Sequence, residues 1–155
     1  MQRMTKDDYY LGIAIAVSKR STCLRRHYGC VIVKDDKIIA TGYNGSPRGE
    51  ANCCDVGICK RQNAKRYTGY DVCPSVHAEQ NALIQANRND LQNATLYLAC
   101  EEYKLNEDKS VKLQDTIYDF VEDDNPEPCS MCMKMIKNSG ISNIITKRGK
   151  INVRN

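Results

Sequence analysis

The 155-residue sequence has no tryptophan, one phenylalanine and only two histidines. Its nine tyrosines are scattered and it has no dense basic stripe, so it lacks the stacking platform and electrostatic track that single-stranded nucleic acid requires. Long apolar runs are missing too: the longest, 12–17, falls far short of the ~20 residues of a membrane span. The polar N-terminal stretch shows no export signal, which makes a cytoplasmic protein the expectation. Charge is nearly balanced, with 23 basic against 19 acidic residues, and a net +4 is too small to indicate a polyanionic partner. The apolar and charged fractions, 41% and 27%, are those of a folded globular protein. The length suits a single domain over 1–155.

Cysteine is what the chain has in excess. The nine are an odd number and no export signal accompanies them, so a disulfide framework is a poor fit. In a reducing compartment clustered cysteines indicate metal.

Hydrophobic periodicity places the elements. Thr5, with Asp8 three residues on, predicts a capped helix whose inner face is Tyr10, Ile13, Ala14 and Val17. Strands are expected at 30–33 and 37–41 around a tight turn at Asp35-Asp36. The stretch 42–49 carries three glycines and a proline and reads as a loop. Residues 50–74 read as irregular, a length that in a compact domain usually serves metal or ligand binding. A helix over 76–88, a strand at 94–99, an insertion over 101–127 with a hairpin around 111–121, a helix at 131–139 and a strand at 141–146 complete the chain. The order implies a mixed α/β fold with one central sheet covered by helices.

Two short segments carry chemistry, Val76-His77-Ala78-Glu79 and Pro128-Cys129-Ser130-Met131-Cys132, each at the start of an expected helix. One nitrogen and two thiolates would bind zinc and leave its fourth position open, the arrangement of a catalytic site. Cys129 and Cys132 share a helix face, and Pro128 fits just before the first turn. Glu79 points away from His77 as a ligand and is better placed to move protons at a metal-activated water. Either segment alone could be structural zinc, a redox pair or chance. Together and in order they match H-x-E…P-C-x-x-C, the pattern of zinc-dependent nucleobase deaminases.

His77-Ala78-Glu79-Gln80-Asn81-Ala82-Leu83 and Gly42-Tyr43-Asn44-Gly45-Ser46-Pro47-Arg48-Gly49 resemble the signature stretches of the deoxycytidylate (dCMP) deaminase family. Ser21-Thr22-Cys23-Leu24-Arg25-Arg26 and 129–140 do so as well, while 101–127 departs from the family pattern. The resemblance implies a cytidine-deaminase-like three-layer fold, a five-stranded mixed sheet flanked by helices. It implies conversion of dCMP to dUMP and ammonia for thymidylate synthesis, with zinc on His77, Cys129 and Cys132 and Glu79 as the proton carrier. Deamination of cytidine or dCTP is the alternative, and a zinc-stabilised binding protein without turnover a more distant one.

By the same resemblance Asn44 and Asn81 would bind substrate; otherwise Asn44 serves the Asn-Gly turn and Asn81 its own helix. Arg25, Arg26, Arg48 and Arg88 are the arginines available for phosphate. Many family members are hexamers activated by dCTP and inhibited by dTTP, which implies a homo-oligomer. In this chain it makes Gly45 and Arg48 candidates for a triphosphate effector carrying Mg²⁺. Cys23, Cys53, Cys59 and Cys73 could form a second, structural zinc site, with Cys54 an alternative to Cys53, or they could be free thiols. Cys30 and Cys100 read as buried strand cysteines.

Overall fold

The computed structural model describes residues 1–103, 120–122 and 126–154. The first helix, α1 (Lys6–Ser18), starts at the expected cap: Thr5 accepts the Asp8 N–H at 3.1 Å and donates to its carboxylate at 2.6 Å. Strands β1 (Arg26–Lys34) and β2 (Lys37–Tyr43) meet at Asp35-Asp36, with φ of 48° and 61°. Two consecutive positive φ values make the turn whose twist suits a two-residue hairpin. Both strands outrun the expected ranges. Arg26 to Gly29 carry no apolar run, yet they pair with a neighbouring strand, which sequence periodicity does not register.

Residues 50–74 are largely irregular as expected, with one helical turn, α2 (Cys53–Val56). The single helix expected over 76–88 is two. After α3 (Ala78–Gln85) the chain becomes extended at Ala86, and Asn87 accepts the Asn89 N–H at 3.0 Å to open α4 (Arg88–Leu91). Arg88 therefore does not share a helix with Glu79. Strand β3 (Thr95–Tyr103) takes in Glu101 and Glu102, so the insertion begins later than expected. Of the hairpin expected around 111–121, the described part falls in β4 (Phe120–Glu122); the rest lies outside the described residues. Helix α5 (Ser130–Ser139) stops at Gly140, φ 100°, a conformation that glycine adopts without strain. β5 (Asn143–Thr146) follows, and then an unexpected edge strand, β6 (Gly149–Asn152).

The sheet path β2-β1-β3-β5-β6 is the expected five-stranded mixed sheet, antiparallel throughout except for β3 with β5. β4 adds a short antiparallel pairing to the far end of β3. Strand alternation sends Cys30, Ile32, Leu96, Leu98 and Ile144 to one face, against Ala78 and Ala82 of α3 and Ile136 of α5. Val31, Val33, Tyr97, Ala99 and Ile145 go to the other, against Tyr10 and Ala14 of α1. The layers are thus helix, sheet, helix. Cys30 and Cys100 are both fully buried, as read from the sequence. Among the described residues no helix is long and apolar enough to cross a membrane.

Two glycines set the helix heights. A Cβ on Gly29 would lie 1.8 Å from the Ala14 carbonyl oxygen, and one on Gly42 2.2 Å from that of Ala78. α1 and α3 therefore rest directly on strand backbone, and α3 brings the site with it.

Candidate metal centre and active site

The site assembles where α3 and α5 begin. Val76 is pinned to the loop after β2 by reciprocal backbone bonds with Gly45, 3.1 Å and 2.8 Å. The next residue, His77, is the N-cap of α3, and its N–H donates to Gln80 Oε1 at 2.9 Å. Cys129 caps α5 in turn, its sulfur accepting the Cys132 N–H at 3.4 Å. These caps bring His77 Nδ1 to 3.6 Å from Cys129 Sγ and 3.3 Å from Cys132 Sγ. All three ligand atoms lie within 4.8 Å of one another. Zinc bonds of about 2.0–2.3 Å put tetrahedral ligands about 3.3–3.8 Å apart, so this donor set fits zinc with one position left over.

The three ligands lie close enough to compete for protons. The Cys129 thiol is pulled down to about 4, chiefly by a hydrogen bond from Cys132, with His77 helping and burial opposing. Cys132, the donor, is pushed up by that bond and by burial. Burial presses His77 down, but its contact with Cys129 and the nearby Glu79 carboxylate outweigh it and its pKa rises. Glu79 is 3% exposed, and burial raises its carboxyl above the ordinary range. A buried carboxyl with a raised pKa beside a metal-binding group is suited to taking up and passing on protons.

Glu79, His77 and Cys129 open onto one cavity, and Asn44 lines it too. Asn44 is heavily committed: Oδ1 accepts from Ser21 at 2.7 Å and from the Tyr28 N–H at 2.8 Å, and Nδ2 donates to the Arg26 carbonyl at 2.9 Å. One Nδ2 hydrogen is left without a described partner. Asn81 does not line the cavity; its amide donates to the Tyr43 carbonyl at 2.7 Å and ties α3 to the end of β2. Gly45 spends both its N–H and its C=O on Val76, which leaves no backbone donor there for a phosphate. Arg48 and Arg88 are exposed and outside the cavity, while Arg26 is on its wall, ion-paired to Glu102 at 2.5 Å.

The four cysteines expected at a second metal influence one another electrostatically. Cys59 and Cys73 both raise the Cys23 thiol, whose largest influence is burial, and Cys53 senses all three of the others. Cys23, Cys59 and Cys73 line the same cavity as His77. Among the described residues, however, the group with three ligand atoms mutually within 4.8 Å is His77, Cys129 and Cys132. Cys54 is exposed and directed to Asp55.

The sequence reading missed Arg61, Arg66, Tyr67 and Tyr70, all on the cavity wall and all from the irregular segment. A run with two arginines and two tyrosines immediately before the helix of His77 was the available signal; without periodicity it gave no orientation.

The family model for the cytidine and deoxycytidylate deaminase zinc-binding region matches residues 4–147. The chain belongs to this deaminase family. It is 37% identical over 150 residues to deoxycytidylate deaminase of Saccharomyces cerevisiae, covering 92% of this chain and 45% of that protein. It thus spans less than half the length of the yeast relative. The deoxycytidylate deaminase of Mycobacterium phage D29 is 35% identical over 152 residues, 94% of this chain and 96% of that one. The cyanophage S-TIM5 dCMP deaminase, solved in complex with dCMP and dUMP, shares the fold with a TM-score of 0.57 and 23% identity, over 93% of this chain and 83% of that one.

Proposed function

We propose that the chain hydrolyses dCMP to dUMP and ammonia, with His77, Cys129 and Cys132 holding a catalytic zinc and Glu79 carrying the protons. The observation that carries this reading is Glu79 itself. A metal site that only stabilised the fold would have no use for a carboxyl buried to 3% exposure beside three ligands. Zinc in this position would supply Lewis acidity and lower the pKa of a water at its open position. Glu79 accepts a proton from the attacking water as the C4–O bond forms and delivers it to ring N3. It then takes the remaining proton from the new C4 hydroxyl and passes it to the exocyclic nitrogen, so that the C4 carbonyl forms as the C4–N bond breaks and ammonia leaves. Asn44 offers its remaining Nδ2 hydrogen to the sugar, and Asn81, through Tyr43, positions the end of β2 that carries Asn44.

The chain's similarity to deoxycytidylate deaminases supports dCMP as substrate, and dUMP would feed thymidylate synthesis in the cytoplasm. One sheet shared by all the described strands supports a single domain over 1–155. Exposed Ile84, Met131 and Met135 on α3 and α5 support burial against other copies in a homo-oligomer, a hexamer in this reading. Regulation by dCTP with Mg²⁺ and by dTTP would use Arg48 and the 42–49 loop. A second zinc would take Cys23, Cys53, Cys59 and Cys73, whose mutual electrostatic influence supports a shared site.

The test is a substrate panel of dCMP, deoxycytidine, cytidine and dCTP, followed by loss of cytosine absorbance. We expect kcat/KM for dCMP to exceed that for deoxycytidine by about 100-fold, since charge-assisted phosphate contacts are worth a few kcal/mol. Equal efficiency for the two would overturn the dCMP assignment.

A further inference from the structure

Four arginines, Arg25, Arg26, Arg61 and Arg66, line the cavity that holds Glu79, and they are not equivalent. Arg26 is neutralised by Glu102. Arg25 turns its guanidinium onto the Arg61 carbonyl and so fixes the backbone of the irregular segment to the start of β1. Arg66 lies over the Tyr67 ring, 5.2 Å from its centroid. Arg61 makes no ion pair among the described residues, and its Nε is buried there without a hydrogen-bond partner; a buried Nε is not unique to it on this wall, and what sets it apart is its place against Tyr70. A buried donor on a charged group costs free energy unless an acceptor completes it.

The position of Arg61 says which acceptor. Its guanidinium carbon stands 4.4 Å above the Tyr70 ring centroid. Tyr70 in turn meets the His77 ring edge to face, with centroids 5.0 Å apart. The cation is thus one aromatic ring removed from the metal-binding histidine. The wall running from His77 through Tyr70 to Arg61 offers a path for the sugar and 5′ substituent of a pyrimidine held at Glu79. The guanidinium fork matches a phosphate oxygen pair, and Tyr70 holds the fork in place.

We infer that Arg61 is the specificity residue that reads the 5′-phosphate of the substrate, with Arg25 as its positioning residue. This rests on the dCMP reading above and replaces Arg26, Arg48 and Arg88 in that role. It places phosphate recognition in the segment between α2 and α3, outside the stretches that carry the family resemblance.

The experiment compares wild type, Arg61→Ala and Arg61→Lys, each zinc-loaded, with dCMP and deoxycytidine as substrates and with dUMP and deoxyuridine as inhibitors. Arg61→Ala should lower kcat/KM for dCMP by about 10- to 100-fold, mainly through KM, and deoxycytidine turnover by much less. Inhibition by dUMP should weaken in parallel, while inhibition by deoxyuridine should barely move. Arg61→Lys keeps the charge without the fork and should fall between the two. A wild type that prefers dCMP, combined with variants that keep that preference or lose both substrates equally, overturns the role of Arg61 and leaves the dCMP assignment standing. A wild type without any preference overturns both. If Arg61→Ala does not fold, the lysine variant decides by the same ratio.

Discussion

His77 and Glu79 stand two residues apart at the opening of α3, yet the helix start separates their work. His77 is still in extended conformation at the cap, so its ring swings toward the thiolates of α5. Glu79 is already helical and is buried on the sheet side, where its carboxyl cannot ionise as easily as in water. Glu79→Gln removes the proton carrier and keeps the shape, so it should retain the zinc and lose turnover. General acid–base groups contribute about 10²–10⁴-fold, and a residue acting at two transfers should show at least the top of that range. Elemental analysis together with dCMP turnover measures it; a near-normal rate would remove Glu79 from the mechanism. At this scale the sequence was most informative. Ligand identity and spacing in the two segments are local facts, and each cap geometry follows from the residues themselves. Arg61 and Tyr70 were not legible because their positions depend on Arg25 and on the turn of an irregular chain, for which no period exists.

Between elements, contact is closest at two glycines, and they separate stability from activity. On Gly29 a Cβ meets the backbone of α1, at the Ala14 oxygen and at 2.6 Å from the Ser18 nitrogen. On Gly42 it meets α3, at the Ala78 oxygen and at 2.5 Å from the Ala82 nitrogen. Backbone cannot rotate away, so either helix must rise off the sheet at a cost of about 1–3 kcal/mol or more. Gly29→Ala should lower the melting temperature and leave kcat of the folded protein close to wild type, because α1 carries no residue of the cavity that holds Glu79. Gly42→Ala should lower both, since α3 carries His77 and Glu79. Gly12→Ala, with open space around it in α1, should instead stabilise by about 0.5–1 kcal/mol. Equal kcat losses for Gly29→Ala and Gly42→Ala would show that helix height does not govern the site. Sequence pattern found the long, apolar elements and missed what pairing alone creates. β6 has a single half-buried residue, Ile151, and so offers no alternation, while the break in the 76–88 helix comes from Asn87 capping a new turn where the apolar spacing runs on.

For the whole molecule, what needs explaining is how 57–74, almost free of regular structure, forms a precise cavity wall. Among the described residues Arg25 clamps it at Arg61, and the Cys59 and Cys73 thiols act electrostatically on Cys23 at the entry to β1 and on Cys53 of α2. Four thiols from separate places are too sparse to hold a chain by packing, but a closed tetrahedral zinc would bind the segment to both sides at once. The composition pointed this way, since an odd and clustered cysteine excess is a metal signal, but the partners were not legible because their spacing follows no compact finger pattern. Protein purified without added metal should therefore contain about two zincs per chain. Cys59→Ser should lose one of them and lower the melting temperature by several degrees, since structural zinc contributes directly to folding and about 1 kcal/mol corresponds to about 2–4 °C at this size. Its remaining zinc should sit with His77, so deoxycytidine turnover should persist. KM for dCMP should rise, because Cys59 is two residues from Arg61 and the wall would loosen there. One zinc per chain in the wild type rejects the second site and leaves Arg25 as the segment's anchor; two zincs unaffected by Cys59→Ser would move the site to a ligand set without Cys59.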